Sequence, residues 1–331
     1  MNGWSGRGSG LVLQGQAGWL GRTKQERSPF DSCATTGKTH PMTNEEEEKR
    51  LHRRRFYKAE TEAGFVESHV TSTPQTRDPA YRLAFRDTDF LLREELRPVR
   101  FQLELLKCEM LLDEARIGST LVCYGSARIP APDDCEAALA AAITPEKRAV
   151  IERLVAKSKY YEEARKLGHI ASSCNIVEKG MRQFVVCSGG GPSIMEAANR
   201  GAVEAGAETI GLNIVLPHEQ APNRYVTPHL AFQFHYFALR KMHFLLRAKA
   251  VAVFPGGYGT LDEFMELLTL VQTGKMRPIP ILLFGREFWN RIINFEAMAE
   301  EGVVNTEDLD LFHFVETAEE AWAKVVAFYE L

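Results

Sequence analysis

From residue 119 onward the hydrophobic positions fall into short apolar runs separated by longer stretches with helical spacing. The runs at 121–124, 184–187, 209–214, 251–254, 281–284 and 312–315 are dense in Val, Ile, Leu and Phe and predict strands. The stretches at 146–176, 193–206, 236–248, 260–273, 287–300 and 318–329 predict helices. Strands that are apolar on both faces and alternate with helices pair in parallel, because helices then cover both sides of the sheet. The expected fold is α/β, a doubly wound parallel sheet of Rossmann-like form, with ligands at the carboxyl ends of its strands.

Upstream the pattern is different. Between 88 and 115, Phe90, Leu91, Leu92, Leu96, Val99, Leu103, Leu106, Met110 and Leu111 recur at helical spacing, with Pro98 expected to start a new helix or kink this one. This segment is expected to pack on the outside of the sheet domain or to build a subunit contact. Residues 43–58 place four acids ahead of Arg50, His52, Arg53, Arg54 and Arg55, which suits a solvated helix with both dipole ends complemented. Residues 1–41 are rich in Gly, Ser and Thr with no sustained period, and Met42 then opens the first charged run. The expected organisation is therefore 1–41 as a disordered tail or over-extended start, 42–118 as a helical extension and 119–331 as the Rossmann-like domain.

The overall balance narrows the function. Forty Lys and Arg against forty-four Asp and Glu leave a formal charge of -4, so no basic field draws the chain to nucleic acid or to an anionic membrane. No apolar run is long enough to span a bilayer and no signal-like block opens the chain, so a cytoplasmic location is expected. The six cysteines lack CxxC spacing and several sit inside apolar runs, reading as core residues of a reducing compartment. Cys187, beside a glycine run, also admits a reading as a reactive thiol. No His, Cys and Asp cluster has metal-ligand spacing, and neither a metal nor another cofactor is expected.

Three predicted strands run directly into small-residue loops: Gly125-Ser126-Ala127, Ser188-Gly189-Gly190-Gly191-Pro192-Ser193 and Pro255-Gly256-Gly257-Tyr258-Gly259-Thr260. Glycines there allow close backbone approach, and the following helix offers unpaired N–H groups and a positive dipole end, so three such corners at one sheet edge describe an anion cradle. The first loop is not GxGxxG and no GxxxxGK[ST] occurs, which argues against a dinucleotide site or a P-loop. Thr260 and Glu263, and again Ser193 and Glu196, have the spacing of a capping box, although Glu263 so placed can also turn its carboxylate into a pocket.

The segment LRKMHFLLRAKAVAVFPGGYGTLDEFMELLTLVQTGK, residues 239–275, resembles the signature of the LOG (LONELY GUY) family of nucleotide 5'-monophosphate phosphoribohydrolases, often mislabelled lysine decarboxylases, and SGGGPSIMEAANRGAVEAG resembles its other glycine loop, in the form of the longer bacterial branch. The resemblance covers about 119–329. It implies that Gly256, Gly257, Gly259 and Thr260 hold the nucleotide phosphate and that Glu263 acts at the ribose. It further implies a catalytic Arg240 with Lys241 beside it, and a pocket lined by Gly125, Ser126, Gly190, Gly191 and Met195. Without the resemblance Arg240 reads as a helix-surface arginine. A fixed carboxylate near C1' stabilises an oxocarbenium-like ribose or activates water, and an unperturbed glutamate is ionised for that role at neutral pH. The implied reaction is hydrolysis of nucleoside 5'-monophosphates, AMP or an N6-substituted AMP, to base and ribose 5-phosphate by a homo-oligomer. The alternative from another class is a non-hydrolytic nucleotide or molybdenum-cofactor binder or carrier.

Overall fold

In the computed structural model, residues 56–217 and 221–331 are described, so the expected tail at 1–41 and most of the charged helix at 43–58 lie outside them. The chain divides into two compact units, Met1–Glu94 and Glu95–Leu331. In the first, helix α1 (Ala59–His69) carries a stacked Phe65–His69 pair at 4.2 Å, and Thr73 caps a short turn of helix at Pro74–Arg77.

The second unit opens with α2 (Arg97–Glu114), so the 88–115 pattern yields a fresh helix with Pro98 in its first turn, where a missing N–H costs nothing. One face of α2 buries Cys108 and Leu112, while Leu103, Leu106 and Met110 stay exposed. The chain continues through β1 (Thr120–Tyr124), α3 (Cys135–Ala140), α4 (Pro145–Val155), α5 (Lys159–Ser173) and a small hairpin of β2 (Val177–Glu178) and β3 (Met181–Arg182). Next come β4 (Val185–Ser188), α6 (Ile194–Glu204), β5 (Ile210–Ile214), β6 (Ala231–Phe234), α7 (Phe237–Leu246), β7 (Ala248–Val253) and α8 (Tyr258–Gln272). The remaining elements are β8 (Ile281–Phe284), α9 (Arg286–Ile292), α10 (Phe295–Glu300), β9 (His313–Val315) and α11 (Ala318–Tyr329).

Seven strands form one sheet in the order β6-β5-β4-β1-β7-β8-β9, every pairing parallel. The expected doubly wound α/β sheet is thus present. Two differences have local causes. Edge strand β6 was not among the expected runs because only Phe232 and Phe234 are buried, with Ala231 and Gln233 exposed, so it alternates instead of being apolar throughout. The single helices expected at 146–176 and 287–300 are each broken in two, the first at Ala156 to Ser158 and the second at the extended Ile293 and the Asn294 cap.

The strand order places the site. The chain lays β4, β5 and β6 outward on one side of β1, then returns to build β7, β8 and β9 on the other, so the connections diverge beside β1, where a crevice opens at the strand ends. Alternate β1 residues feed two cores. Leu121 and Cys123 face one cluster with α5, α6 and α11; Val122 and Tyr124 face the other with α2, α7 and α8.

Candidate active site

The crevice at the ends of β1, β4 and β7 is a cavity of about 760 Å³, within the range that holds a nucleotide-sized ligand. Its floor is zipped together by backbone: Phe254 N–H donates to Tyr124 O at 2.8 Å, and Ser126 N–H donates to Pro255 O at 3.1 Å, so the first and third glycine loops lie side by side.

Helix α8 starts at Tyr258, with Gly257 as its N-cap and no side-chain cap. The first intrahelical bond runs from Leu261 N–H to Gly257 O, so the N–H groups of Tyr258, Gly259 and Thr260 precede the ladder. No acid occupies the first turn, and the positive end of a helix of 15 residues is left for an anion. The capping-box reading of Thr260 and Glu263 is thereby corrected: the helix begins earlier than the T-x-x-E spacing suggests, and Thr260 packs against Gly256 while Glu263 sits inside the helix. Ser193 does stand at the N-cap of α6, but its hydroxyl makes no capping bond and donates to Ile129 O at 2.5 Å.

Thr260, Glu263, Phe264, Leu267 and Val271 form one buried stripe of α8. Phe264 locks it, fully buried among Trp289, Phe295 and Phe312 with ring centroids 5.8, 6.2 and 6.0 Å away. Burial of such a ring is worth about 3 to 5 kcal/mol against alanine, enough to fix the Glu263 backbone. Glu263 itself is only 7% exposed. Burial pushes its carboxyl up to about 7, with Arg240 and Lys241 pulling the other way and Asp262 and Glu266 adding to the rise. The expectation of an ordinary, fully ionised glutamate is therefore corrected to one that titrates near neutrality.

Arg240 lies on α7 beside the same cavity, its guanidinium carbon 5.1 Å from the Phe244 ring centroid. Gly189 makes room for it: a Cβ there would stand 3.0 Å from an Arg240 nitrogen and 2.9 Å from the Met195 sulfur. The N-terminus of α7 is held by α2, where the Glu104 carboxylate accepts from His235 N–H at 2.8 Å and Tyr236 N–H at 3.3 Å. Arg247, at the other end of α7, donates to Glu109 at 2.9 Å and Asp113 at 2.8 Å, so it is a structural tie to the same helix.

The cavity brings together Gly125, Ser126, Met195, Arg240, Gly256, Gly257, Gly259, Thr260 and Glu263. Gly190, Gly191 and Lys241 are not in its lining. Gly190 O and Gly191 O instead accept from Asn223, at 2.7 Å from its N–H and 3.0 Å from its side chain. Lys241 is engaged at 2.9 Å by both Asp262 and Glu266. Cys187 is buried and its thiol is pushed well above the usual range by that burial, the state of a core residue and not of a nucleophile. His235 and Tyr236, just before α7, are also outside the lining, whereas their neighbour Phe237 is in it. Sequence reasoning missed Tyr124, Arg128, Gly189 and an apolar wall that includes Ile214, Leu216 and Ile292. Arg128 had a readable signal, a cation four residues beyond a strand end in Gly125-Ser126-Ala127-Arg128. No His, Cys, Asp and Glu group among the described residues could hold a metal ion, and no helix among them is long and apolar enough to cross a membrane.

Residues 195–325 match the family model described as possible lysine decarboxylase. Among curated proteins, the cytokinin riboside 5'-monophosphate phosphoribohydrolase LOG3 of Arabidopsis thaliana is 26% identical over 173 residues, which is 51% of this chain and 75% of that one. The probable cytokinin riboside 5'-monophosphate phosphoribohydrolase LOG4 of Oryza sativa subsp. japonica is 24% identical over 144 residues, 43% of this chain and 61% of that one. This stretch is thus similar to LOG-type proteins at low identity. The matched segment contains Met195, Arg240, the Pro255–Thr260 loop and Glu263, while Tyr124, Gly125 and Ser126 come from β1 and the loop after it, outside the match. Among solved structures, the molybdenum cofactor binding protein of Rippkaea orientalis superposes with a TM-score of 0.38 at 17% identity, covering 64% of this chain and 98% of that one. The Moco carrier protein of Chlamydomonas reinhardtii gives 0.37 at 18% identity, covering 64% and 99%. Superpositions this loose carry neither a ligand nor a reaction over to this chain.

Proposed function

We propose that the chain is a nucleoside 5'-monophosphate phosphoribohydrolase, with AMP or an N6-substituted AMP as the leading substrate. The observation that carries the reading is a buried carboxylate, Glu263, one and a half turns inside a helix whose uncapped N-terminus faces the same cavity. The activity named for the LOG relatives supports the same reading.

In this reading Gly256, Gly257, Gly259 and Thr260 receive the phosphate at the start of α8, with Arg128 and Arg240 supplying positive charge at the cavity. The apolar wall of Ile214, Leu216 and Ile292 takes the base. The bond from C1' to the base nitrogen breaks as water bonds to C1'. Glu263 takes the water's proton as the hydroxyl bonds to C1', the departing base takes up a proton from solvent, and the carboxyl near 7 then releases its proton to solvent to regenerate the carboxylate. Arg240, permanently charged, binds phosphate or ribose and lowers the cost of ionising Glu263. A homo-oligomer and a cytoplasmic location belong to the same proposal.

Substitution Glu263→Gln is expected to abolish release of base while nucleotide binding persists. Turnover unchanged in that variant removes the mechanism; binding of nucleotide with no release by the wild type favours a non-hydrolytic binder.

A further inference from the structure

One buried polar group of the cavity has no part in the mechanism above. Tyr124 ends β1, is 4% exposed, and lines the cavity with Glu263 and Arg240. Its ring meets Phe244 edge-on at 5.1 Å, on the opposite side of the sheet from Leu121 and Cys123, so strand alternation aims it at the layer containing α7 and α8. Its hydroxyl is buried and makes no hydrogen bond among the described residues. The phenol stays protonated: burial first, and then the charge of Glu263, push it well above the usual range.

A buried hydroxyl without a partner costs the fold about 1 to 3 kcal/mol, and phenylalanine would fill the same space without that cost. The hydroxyl is accounted for if the ligand supplies its acceptor. The charged groups acting on it include Glu263, which accepts when ionised, and Arg240, which only donates. An oxygen that carries its own proton satisfies both neighbours, accepting from the phenol and donating to the carboxylate. We infer that Tyr124 is the hydrogen-bond donor that holds a hydroxyl-bearing oxygen, the attacking water or a ribose hydroxyl, against the Glu263 carboxylate. Tyr124 keeps its proton throughout and acts by positioning. The inference rests on the phosphoribohydrolase reading.

The test is Tyr124→Phe, assayed for kcat and KM with AMP and with 2'-deoxy-AMP, alongside thermal unfolding of the free protein. The expected result is a kcat lowered about 10- to 100-fold with KM little changed, the effect of removing a hydrogen bond to a charge-coupled group. A loss confined to AMP assigns the oxygen to the 2'-hydroxyl, and an equal loss on both substrates assigns it to water or the 3'-hydroxyl. Because the hydroxyl has no partner in the free protein, the Tm is expected to stay level or rise. An active wild type with Tyr124→Phe unchanged in kcat on both nucleotides overturns the inference and leaves the reaction standing. A lowered Tm also overturns it, since the hydroxyl then serves the fold. A wild type that releases no base from any nucleotide overturns the reaction and the inference together.

Discussion

Glu263→Gln should stabilise the protein, and by an amount that depends on pH. The folded carboxyl lies at about 7 against an ordinary value of 4.5, so the folded state holds this proton more tightly than the unfolded chain does. The sign follows from linkage: stability from this group is fully present below 4.5 and is lost as pH rises through about 7. Integrating between those two values gives a loss of about 1 kcal/mol at pH 5 and about 3 kcal/mol at pH 8, relative to the fully protonated protein. Glutamine fills nearly the same volume and does not ionise, so the advantage of Glu263→Gln over wild type should grow by about 2 to 3 kcal/mol between pH 5 and pH 8. Urea unfolding of both proteins at the two pH values, followed by a tertiary-structure signal, measures that growth directly. An advantage that is the same at both pH values would refute the reasoning, because the carboxyl would then titrate alike in folded and unfolded chains.

The same shift predicts the activity profile: if ionised Glu263 is the working form, kcat/KM should rise with pH along a limb centred near 7, and a limb centred at 4 to 5 would contradict it. Because Lys241 is held by Asp262 and Glu266 outside the cavity, Lys241→Ala should cost far less turnover than Arg240→Ala; parallel steady-state kinetics compare them, and equal losses would restore Lys241 to the site. Glu104→Ala should strip two N–H groups at the start of α7 of their acceptor, lowering stability by about 1 kcal/mol and lowering kcat through Arg240. Unchanged kcat in that variant would show that α2 does not position the arginine.

The sheet was readable because its central strands β1, β4 and β7 are mostly apolar and buried and because each runs into a small-residue loop. Edge strand β6 escaped that pattern by alternating, and the 287–300 helix broke at a cap, Asn294, that spacing alone does not distinguish from a surface asparagine. Within the site, the Pro255–Thr260 loop and Glu263 were legible as a motif, yet the capping-box spacing misplaced the start of α8 by putting Thr260 at the cap. The better signal was burial periodicity: Thr260 and Glu263 fall on the stripe of Phe264, Leu267 and Val271, where a core would place apolar residues. Tyr124 and Gly189 were not legible, since each owes its place to tertiary neighbours, Val253 of β7 by parallel register for Tyr124, and the helix residues Met195 and Arg240 for Gly189. The raised carboxyl of Glu263 is likewise a product of tertiary burial, with no trace in the sequence around it.

The central claim is that Glu263 cleaves the N-glycosidic bond of a nucleotide bound at the start of α8. Chromatographic detection of free base and ribose 5-phosphate, after incubating the purified chain with a panel of nucleoside monophosphates, tests it most directly, with Glu263→Gln run in parallel. The account predicts equimolar base and ribose 5-phosphate from the wild type and neither from Glu263→Gln. Nucleotide binding without release, or release that persists in Glu263→Gln, would contradict it.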